Sequence, residues 1–392
     1  MNIIRGMTQC DPGETGFDPD RLEVLDRRLC DMVERKVIHG AAYCISHKGK
    51  VIASGAVGRG SAFDDRPMQP DAVFSAASVT KTFTATAIMQ LIEDGLIRLD
   101  CPVGDVLPQF RQPPFAGITL LQLLTHTSGI YPDKGCFNED IPSQWELISA
   151  AAEKWDGTGD FDWITPALAP GLRREPGSEW QYSSFGFTLL GEVIARLSGM
   201  SAEKYITERI LKPLNLKDSG FRLTPSLAER FFVSSEEEQR AVDLVISGEA
   251  TENTSFWSII PDTAGGLVTT VYDLVRFANA FIGGGKLEGS RILGRKSVEK
   301  MSSVQVQGVP DRCWGSGESN RLYGIGFDIR RTPAFSYSDR TIMHEGAGAS
   351  SLDIDLDEQL AAAWFVPFDK PEGGWSAEPL YNVQNIIWSG LI

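Results

Sequence analysis

Apolar residues recur along the chain at two different spacings, and each spacing predicts a different element. Residues 18–36 repeat apolar side chains every three or four positions, which predicts an amphipathic helix. Residues 40–46 and 51–57 are short apolar runs on either side of the polar segment 47–50, a pattern typical of two strands joined by a hairpin. The first sixty residues are therefore expected to form a helix and a pair of antiparallel strands.

Helical spacing dominates the next two hundred residues, and strand patterns return near the C-terminus. Helices are predicted over residues 78–94, 120–124, 144–153, 185–197, 202–210 and 270–281. Strands are predicted over residues 323–331, 341–344, 350–355 and 360–366, and a last helix over 379–388. Residues 133–170 are irregular and rich in proline, glycine and tryptophan, which is typical of a segment that covers a site.

The two groups of strands predict how the chain is divided. Neither group makes a stable sheet alone, so both ends of the chain are expected to form one antiparallel sheet flanked by the terminal helices. Residues 1–74 and 288–392 then form a discontinuous α/β sheet domain, and residues 75–287 form a mainly helical domain. The predicted fold class is α+β, with the active site in the cleft between the two domains.

Composition argues against several classes of partner. Of the 392 residues 52 are acidic and 37 are basic, and the formal charge of −15 argues against a nucleic-acid or membrane partner. The four histidines lack the spacing of zinc ligands, and we expect no metal and no cofactor. The six cysteines show no C-x-x-C pattern, and the N-terminal residues lack a signal-peptide core, which predicts reduced thiols and a cytoplasmic location. Nothing in the sequence indicates an oligomeric state.

The helix predicted over residues 78–94 begins with a serine and a lysine three positions apart, Ser78 and Lys81. Residues i and i+3 lie on one face of a helix, so the two side chains can touch. The positive end of the helix dipole and partial burial both favour a neutral lysine. A neutral Lys81 can take the proton of Ser78 as the serine attacks a carbonyl carbon.

The same S-x-x-K pattern occurs twice more, at Ser201 with Lys204 and at Ser297 with Lys300. Both serines precede helical stretches with an acidic residue in the first turn, which is typical of an N-cap serine with a solvated lysine. The flanks of Ser78 are small and apolar instead, as a buried helix in a cleft requires. Context therefore favours Ser78 as the nucleophile.

Tyr182 is the candidate for a second proton carrier. It lies at a predicted turn directly before the helix over residues 185–197. If its phenol approaches Lys81, the positive charge is expected to lower the tyrosine pKa, and either residue can act as the base in a given step. The structural alternative is a half-buried aromatic residue next to an N-cap at Ser183 or Ser184.

The segment that begins with His344 and Glu345 supplies candidate donors for an oxyanion. A predicted strand ends there in a glycine-rich turn, where small residues allow a carbonyl group to come close to backbone amides. The structural alternative is a glycine-rich bend between two strands, with His344 as an ordinary buried histidine.

The S-x-x-K, Y-S-S and H-E-G motifs follow one another at intervals of 104 and 162 residues. In this combination the chain resembles the serine β-lactamase and penicillin-binding-protein superfamily, in particular its class C-like branch. That branch includes class C β-lactamases, D-alanyl-D-alanine carboxypeptidases, D-aminopeptidases and family VIII carboxylesterases. Residues 123–130, 175–183 and 264–274 resemble further segments of the same family, and the resemblance extends from about residue 24 to the C-terminus.

The resemblance implies a β-lactamase-like fold and a role for each motif. Ser78 is then the acylated nucleophile, and Lys81 and Tyr182 share the general-base and general-acid work. The backbone N–H groups of Ser78 and Ala347 form the oxyanion hole, with Gly346 beside it. His126, in the segment over residues 123–130, is expected to brace the turn beneath the site.

Two departures from the family pattern bear on the substrate. Ser184 stands where lactamases and peptidases usually carry an asparagine that holds a substrate amide. His344 stands where many relatives carry the lysine of K-T-G, and it replaces a fixed positive charge with one expected to titrate near neutrality. Esters need neither group. Six aromatic residues are candidates for an acyl pocket or for core and lid packing: Trp145, Trp155, Phe161, Trp163, Phe256 and Trp257.

Together these features predict a serine carboxylesterase of the family VIII type that cleaves small short-chain esters. A β-lactamase or D-stereospecific amidopeptidase with the same catalytic residues is the first alternative. A penicillin-binding sensor or acyltransferase that acylates but barely hydrolyses is the second. No G-x-S-x-G motif occurs, which disfavours an α/β-hydrolase.

Overall fold

Both ends of the chain build one antiparallel sheet in the computed structural model, which describes residues 1–250, 260–331, 333–347, 350–368 and 378–392. The strands within these ranges are β1 (Ile4–Arg5), β2 (Gly40–His47), β3 (Lys50–Gly58), β4 (Phe74–Ser75), β5 (Val268–Thr269), β6 (Lys286–Leu287), β7 (Ser290–Arg291), β8 (Thr341–Gly346), β9 (Ser350–Asp355) and β10 (Leu360–Phe365). The main sheet has the order β1-β3-β2-β10-β9-β8, and β4–β5 and β6–β7 form two separate small pairs.

Helices lie on both sides of this sheet and fill the middle of the chain. The α-helices of the described residues are α1 (Pro19–Glu34), α2 (Thr80–Glu93), α3 (Leu120–Leu124), α4 (Gln144–Ala152), α5 (Ile164–Leu168), α6 (Ser184–Ser198), α7 (Ala202–Ile206), α8 (Pro225–Ala228), α9 (Glu236–Ser247), α10 (Val271–Ile282), α11 (Arg295–Met301) and α12 (Glu378–Trp388). The terminal helices α1 and α12 pack against each other, and α10 packs on β2, β9 and β10.

The alternation along β2 shows why both faces of the sheet are covered. Ala41, Tyr43 and Ile45 belong to the apolar cluster that includes α1 and α12. The residues between them, Ala42 and Cys44, belong to the larger cluster that includes α2, α6 and α10. Side chains of successive strand residues point to opposite faces, so an apolar run such as this one is stable only between two layers.

The observed architecture confirms the predicted α+β class and the sheet formed from both ends of the chain. The strand predicted over residues 323–331 is wrong. Tyr323 and Asp328 form only isolated bridges, because the chain between them turns at Gly326 with φ of +69°. A side chain at Gly326 would overlap Ala85 of α2, so this turn presses directly on the helix that follows Ser78.

Candidate active site

Ser78 lies in a single turn of 3₁₀ helix, Ala77–Val79, that leads directly into α2. Ala77 has φ of +45°, which is uncommon for a residue with a side chain. The sheet supports this turn, because Ser350 Oγ on β9 donates a hydrogen bond of 2.9 Å to the Ala76 carbonyl. Such a strained backbone persists where the surrounding structure holds it, often at functional sites.

Lys81 lies one turn after Ser78, and its side chain is completely buried. Its nitrogen donates to three acceptors: Ser78 Oγ at 3.1 Å, Ser184 Oγ at 3.2 Å and the Ala264 carbonyl at 2.8 Å. Burial lowers the pKa of Lys81 to about 8, although the nearby carboxylate of Asp133 acts in the opposite direction. The neutral amine is therefore accessible within the ordinary pH range.

Tyr182 approaches the same two residues from the N-terminal end of α6. Its hydroxyl interacts with Ser78, and its ring centroid lies 4.9 Å from the nitrogen of Lys81. Burial, reinforced by the Asp133 carboxylate, raises the pKa of Tyr182 well above its ordinary value. The expected lowering of this pKa is wrong, because loss of solvation outweighs the nearby ammonium group. Tyr182 is therefore a protonated phenol at neutral pH.

Asp133 is a charged residue of this cluster that no sequence motif indicated. Its Oδ1 accepts the backbone N–H of Ser184 at 2.6 Å, and its Oδ2 accepts the Ser184 hydroxyl at 2.6 Å. Burial raises the pKa of Asp133, whereas Lys81 and the two hydrogen bonds act to lower it. A single aspartate at the start of an irregular segment carries no motif. The only signal was the prediction that residues 133–170 cover a site.

Ala264 is a second contributor that the sequence did not single out. Its segment runs beside α2, where Thr84 Oγ1 donates to the Thr263 carbonyl at 2.7 Å and Thr80 Oγ1 accepts the N–H of Leu267 at 3.1 Å. These bonds place the Ala264 carbonyl against the nitrogen of Lys81. The resemblance over residues 264–274 was a usable signal, but it did not assign a role to a backbone carbonyl.

His344 is buried near the end of β8, with its ring centroid 6.4 Å from that of Tyr182. Its Nδ1 lies 2.8 Å from the Glu345 carbonyl, which can only accept, so Nδ1 carries the hydrogen. Burial and the charge of Lys81 lower the pKa of His344 to about 3. The expectation that it titrates near neutrality is wrong, and the site carries no histidine charge with which to hold a substrate carboxylate.

Gly346 lets the end of β8 reach the turn that carries Ser78. A Cβ at this position would overlap both the Ala76 carbonyl oxygen and Ser350 Oγ, so only glycine allows the approach. Ala347 follows directly and is exposed, and the next two residues of the predicted turn, 348 and 349, lie outside the described residues. The oxyanion-hole role of the Ser78 and Ala347 N–H groups stays a prediction.

His126 lies beneath the Tyr182 segment. Its Nδ1 accepts the N–H of Ser183 at 3.1 Å, and its carbonyl accepts the N–H of Gln181 at 2.8 Å. Its ring packs against that of Tyr182 with centroids 4.5 Å apart. Burial lowers the pKa of His126 well below its ordinary value, so the ring is neutral. This placement agrees with the bracing role expected for it.

The two other S-x-x-K patterns lie in different surroundings. Ser201 is an N-cap, as predicted, and its Oγ accepts the backbone N–H of Lys204 at 3.3 Å. The N-cap predicted at Ser297 is wrong, because α11 begins two residues earlier and Ser297 Oγ donates to Glu93 instead. Lys204 and Lys300 are exposed, and among the described contacts neither side-chain ammonium group donates to its serine hydroxyl.

Of the aromatic residues considered for an acyl pocket, Trp163 is buried in the helical core, and Phe256 and Trp257 lie outside the described residues. Trp314 is a better-placed aromatic side chain that the sequence did not indicate. It is 57% exposed, and its ring centroid lies 5.3 Å from that of Tyr182. It therefore forms part of the solvent-facing wall beside Tyr182.

The antiparallel sheet, the helical layer and the Ser78, Lys81 and Tyr182 cluster define a β-lactamase-like serine hydrolase. The sequence model of the family described as Beta-lactamase matches residues 25–382, and the chain belongs to that family. The resemblance stated from the motifs is thereby confirmed.

Three similar proteins illustrate the range within the family. Penicillin-binding protein 4 of Amycolatopsis lactamdurans is 30% identical over 350 residues, which cover 82% of this chain and 85% of the relative. Esterase EstB of Burkholderia gladioli is 32% identical over 245 residues, or 58% of each protein. The crystal structure of a family VIII carboxylesterase superposes with a TM-score of 0.72 at 19% identity, covering 98% of this chain and all of the other, and shows the fold alone.

Two features are absent from the described residues. None of their helices has both the length and the apolar character needed to cross a bilayer. The same residues bring together no group of three His, Cys, Asp or Glu side chains able to hold a metal ion.

Proposed function

We propose that this protein hydrolyses short-chain carboxylic esters through a covalent acyl-enzyme on Ser78. The observation that supports this most directly is Lys81, a fully buried amine with a pKa of about 8 that lies 3.1 Å from Ser78 Oγ. An activated serine of this kind needs an adjacent base that is partly neutral at working pH. Tyr182 completes the group as a protonated phenol in contact with Ser78.

In the proposed acylation, Ser78 Oγ bonds to the ester carbonyl carbon while its proton passes to neutral Lys81. The N–H groups of Ser78 and Ala347 stabilise the negative oxygen of the tetrahedral intermediate. The bond to the alcohol oxygen then breaks, Tyr182 protonates the departing alkoxide, and the ammonium of Lys81 returns a proton to Tyr182. Water repeats the sequence with Lys81 as base, which releases the carboxylic acid and restores Ser78.

Two observations favour an ester over an amide. The single hydroxyl hydrogen of Ser184 is donated to Asp133, so Ser184 offers no donor to a substrate amide carbonyl. His344 is neutral, because its pKa is about 3, and offers no charge to the carboxylate of a penicillin or a C-terminal peptide. An alkoxide also leaves more readily than the nitrogen anion of an amide, which must be protonated before it departs. Hydrolysis of a β-lactam by the same residues is the second candidate, since one relative is named a penicillin-binding protein.

The pH dependence of kcat/KM follows from Lys81. Its pKa of about 8 leaves roughly a tenth of the amine neutral at pH 7 and about half at pH 8. Because the neutral form is the base, kcat/KM for p-nitrophenyl butyrate is expected to rise through pH 8 and level off above it. Initial rates between pH 5.5 and 10 in buffers of constant ionic strength measure this profile. A profile that is already flat at pH 6.5 would contradict Lys81 as the base.

A substrate panel tests the proposed function. We expect kcat/KM for p-nitrophenyl butyrate to exceed that for a chromogenic cephalosporin or for D-alanine p-nitroanilide by on the order of 10²-fold, because a site without the amide-holding donor discriminates against amides. Faster turnover of the cephalosporin or the anilide would contradict the ester proposal. Intact mass spectrometry during turnover is expected to show a transient acyl adduct. A stable adduct without turnover would instead indicate an acylating sensor.

The same proposal assigns residues 1–74 and 288–392 to the sheet domain and residues 75–287 to the mainly helical domain, with the site between them. Ser78 supports this placement, because its turn contacts β8 and β9 of the sheet and also continues into α2. A small ester is then the partner, and a cytoplasmic location stays a prediction.

A further inference from the structure

A chain of hydrogen bonds runs from the proposed base to a buried carboxylate. The nitrogen of Lys81 donates to Ser184 Oγ at 3.2 Å, and Ser184 Oγ donates to Asp133 Oδ2 at 2.6 Å. The other carboxylate oxygen accepts the Ser184 backbone N–H. Ser184 is the first residue of α6, so Asp133 also lies at the positive end of that helix.

The direction of each bond is set by the number of hydrogens. The Ser184 hydroxyl has one hydrogen, and an ionised carboxylate can only accept, so that hydrogen belongs to the bond with Asp133. The O···O distance of 2.6 Å is in the range of a hydrogen bond to a charged carboxylate. Towards Lys81, Ser184 Oγ is therefore an acceptor only.

This restriction determines how a neutral Lys81 must be oriented. The ammonium form has three hydrogens for its three acceptors, whereas the amine has two hydrogens and one lone pair. The Ala264 carbonyl can only accept, and Ser184 Oγ can only accept while Asp133 holds its hydrogen. Both N–H groups therefore point to these two atoms, and the lone pair faces Ser78 Oγ, whose proton it must take.

We propose that Asp133 is a positioning residue that, by holding the Ser184 hydroxyl hydrogen, turns the lone pair of neutral Lys81 toward Ser78. The inference rests on the proposed role of Lys81 as the base. It assigns Ser184 to the orientation of Lys81 instead of to substrate binding.

Asp133→Asn reverses this arrangement with almost no change of shape. The backbone N–H of Ser184 needs an acceptor, so the amide oxygen takes its place opposite that group, and the amide NH₂ faces Ser184 Oγ. The Ser184 hydroxyl hydrogen is then released, and it can bond to the lone pair of Lys81 in competition with Ser78. The variant is therefore expected to hold its base in an unproductive orientation.

The charge of Asp133 also raises the pKa of Lys81, and this effect can be measured separately from the orientation of the lone pair. The ionisable groups that interact with Lys81 are Asp133, Asp262, Cys136, Tyr182, His126 and His344. Both Asp133 and Asp262 raise the pKa of Lys81, but only Asp133 has a hydrogen bond to Ser184 among the described contacts. Asp262→Asn is thus a matched control, because it removes a carboxylate near Lys81 and leaves the Ser184 hydrogen in place.

The experiment measures labelling of Ser78 by a fluorophosphonate probe as a function of pH. In this reaction Ser78 Oγ bonds to phosphorus, fluoride leaves, and the serine proton passes to Lys81, so the rate reports activation of the serine whatever the natural substrate. For Asp133→Asn we expect the plateau of the labelling rate to fall about tenfold or more, a part of the 10²- to 10⁴-fold that a positioned base contributes in full. The part of the pH profile in which the labelling rate rises is expected to shift to lower pH, because Lys81 loses a nearby negative charge. Asp262→Asn is expected to shift this part of the profile in the same direction and to leave the plateau of the labelling rate unchanged.

A second comparison separates positioning from a structural role. Ser184→Ala is expected to slow labelling in the wild-type background, because Lys81 loses an acceptor that orients it, and Ser184→Thr is expected to retain more activity than Ser184→Ala. In the Asp133→Asn background the same Ser184→Ala change is expected to speed labelling, since it removes the competing hydrogen. Thermal unfolding midpoints show whether each variant is folded. If Asp133→Asn does not fold, the comparison of Ser184→Ala with Ser184→Thr tests the proposal instead.

Three outcomes would overturn the proposal. The plateau of the labelling rate could be the same in Asp133→Asn as in wild type, or as low in Asp262→Asn as in Asp133→Asn. Ser184→Ala could also slow labelling equally in the wild-type and Asp133→Asn backgrounds. Failure of the proposed function gives a different result. In that case the wild-type protein reacts with the probe but turns over a cephalosporin or an anilide in preference to the ester, and the comparison of Asp133 variants is unaffected.

Discussion

Ser78→Ala is expected to lower kcat for p-nitrophenyl butyrate by roughly 10⁵- to 10⁶-fold, the scale seen when a serine hydrolase loses its nucleophile. The physical reason is that Ser78 is the hydroxyl placed 3.1 Å from the Lys81 nitrogen beside Tyr182, whereas the Ser184 hydroxyl, also bonded to Lys81, gives its hydrogen to Asp133. The variant should fold normally, because Ser78 is only partly buried and its loss removes no apolar contact. Initial rates and intact mass after incubation with substrate measure the effect, and no acyl adduct is expected.

The chain supplies its own controls for this variant. Ser201→Ala and Ser297→Ala change the same residue type in the same S-x-x-K pattern, but they lie at surface helices away from Lys81. Both are expected to keep wild-type kcat, with a loss of about 1 kcal/mol in the free energy of unfolding for the N-cap Ser201. The assignment of Ser78 would be refuted by a folded Ser201→Ala or Ser297→Ala protein without activity.

Lys81→Met is expected to lower kcat by about 10³- to 10⁴-fold, the upper part of the range for loss of a general base. Methionine has a similar length and no charge, so it can occupy the buried space of the Lys81 side chain. It cannot accept the proton of Ser78. The residual rate is expected to lose the rise through pH 8, because the group that titrates there is absent. A pH profile of kcat for the variant, beside that of wild type, measures both effects.

Lys204→Met is the matched control, since it removes an exposed lysine from an equivalent pattern. It is expected to leave both kcat and the pH profile unchanged. If Lys81→Met kept the rising limb near pH 8, another group would be the base, and Tyr182 would be the first to consider. Its pKa is raised well above 10, which makes that outcome the less favoured one on physical grounds.

Much of the fold could be predicted from local pattern. The apolar spacing located α1, α2 and α6 and the β2–β3 hairpin within one or two residues, because periodic burial shows directly in the sequence. The segment over residues 323–331 failed for a different reason. It is apolar enough to be a strand, but Gly326 lets it turn against α2, and that packing partner is far away in the chain.

The sequence indicated the residues of the site more readily than it indicated their protonation states. Ser78 and Lys81 are three residues apart in a 3₁₀ turn that continues into α2, so their contact follows from local helical geometry. The pKa expected for Tyr182 was too low and the pKa expected for His344 was too high, because a sequence shows which charged residues exist but not how completely each ionisable group is removed from water. In both residues burial is the largest cause of the shift, and the nearest charge reinforces it: Asp133 for Tyr182 and Lys81 for His344.

By itself, therefore, the sequence determined the fold class, the family and the serine–lysine pair, since these depend on local spacing and on motifs within short segments. The tertiary structure alone decided which groups carry protons and which atoms face one another. Asp133 lies 51 residues before Ser184, and Ala264 lies 183 residues after Lys81, yet both are within hydrogen-bond distance of those residues. Desolvation and hydrogen-bond direction depend on such distant neighbours, and no local pattern contains them.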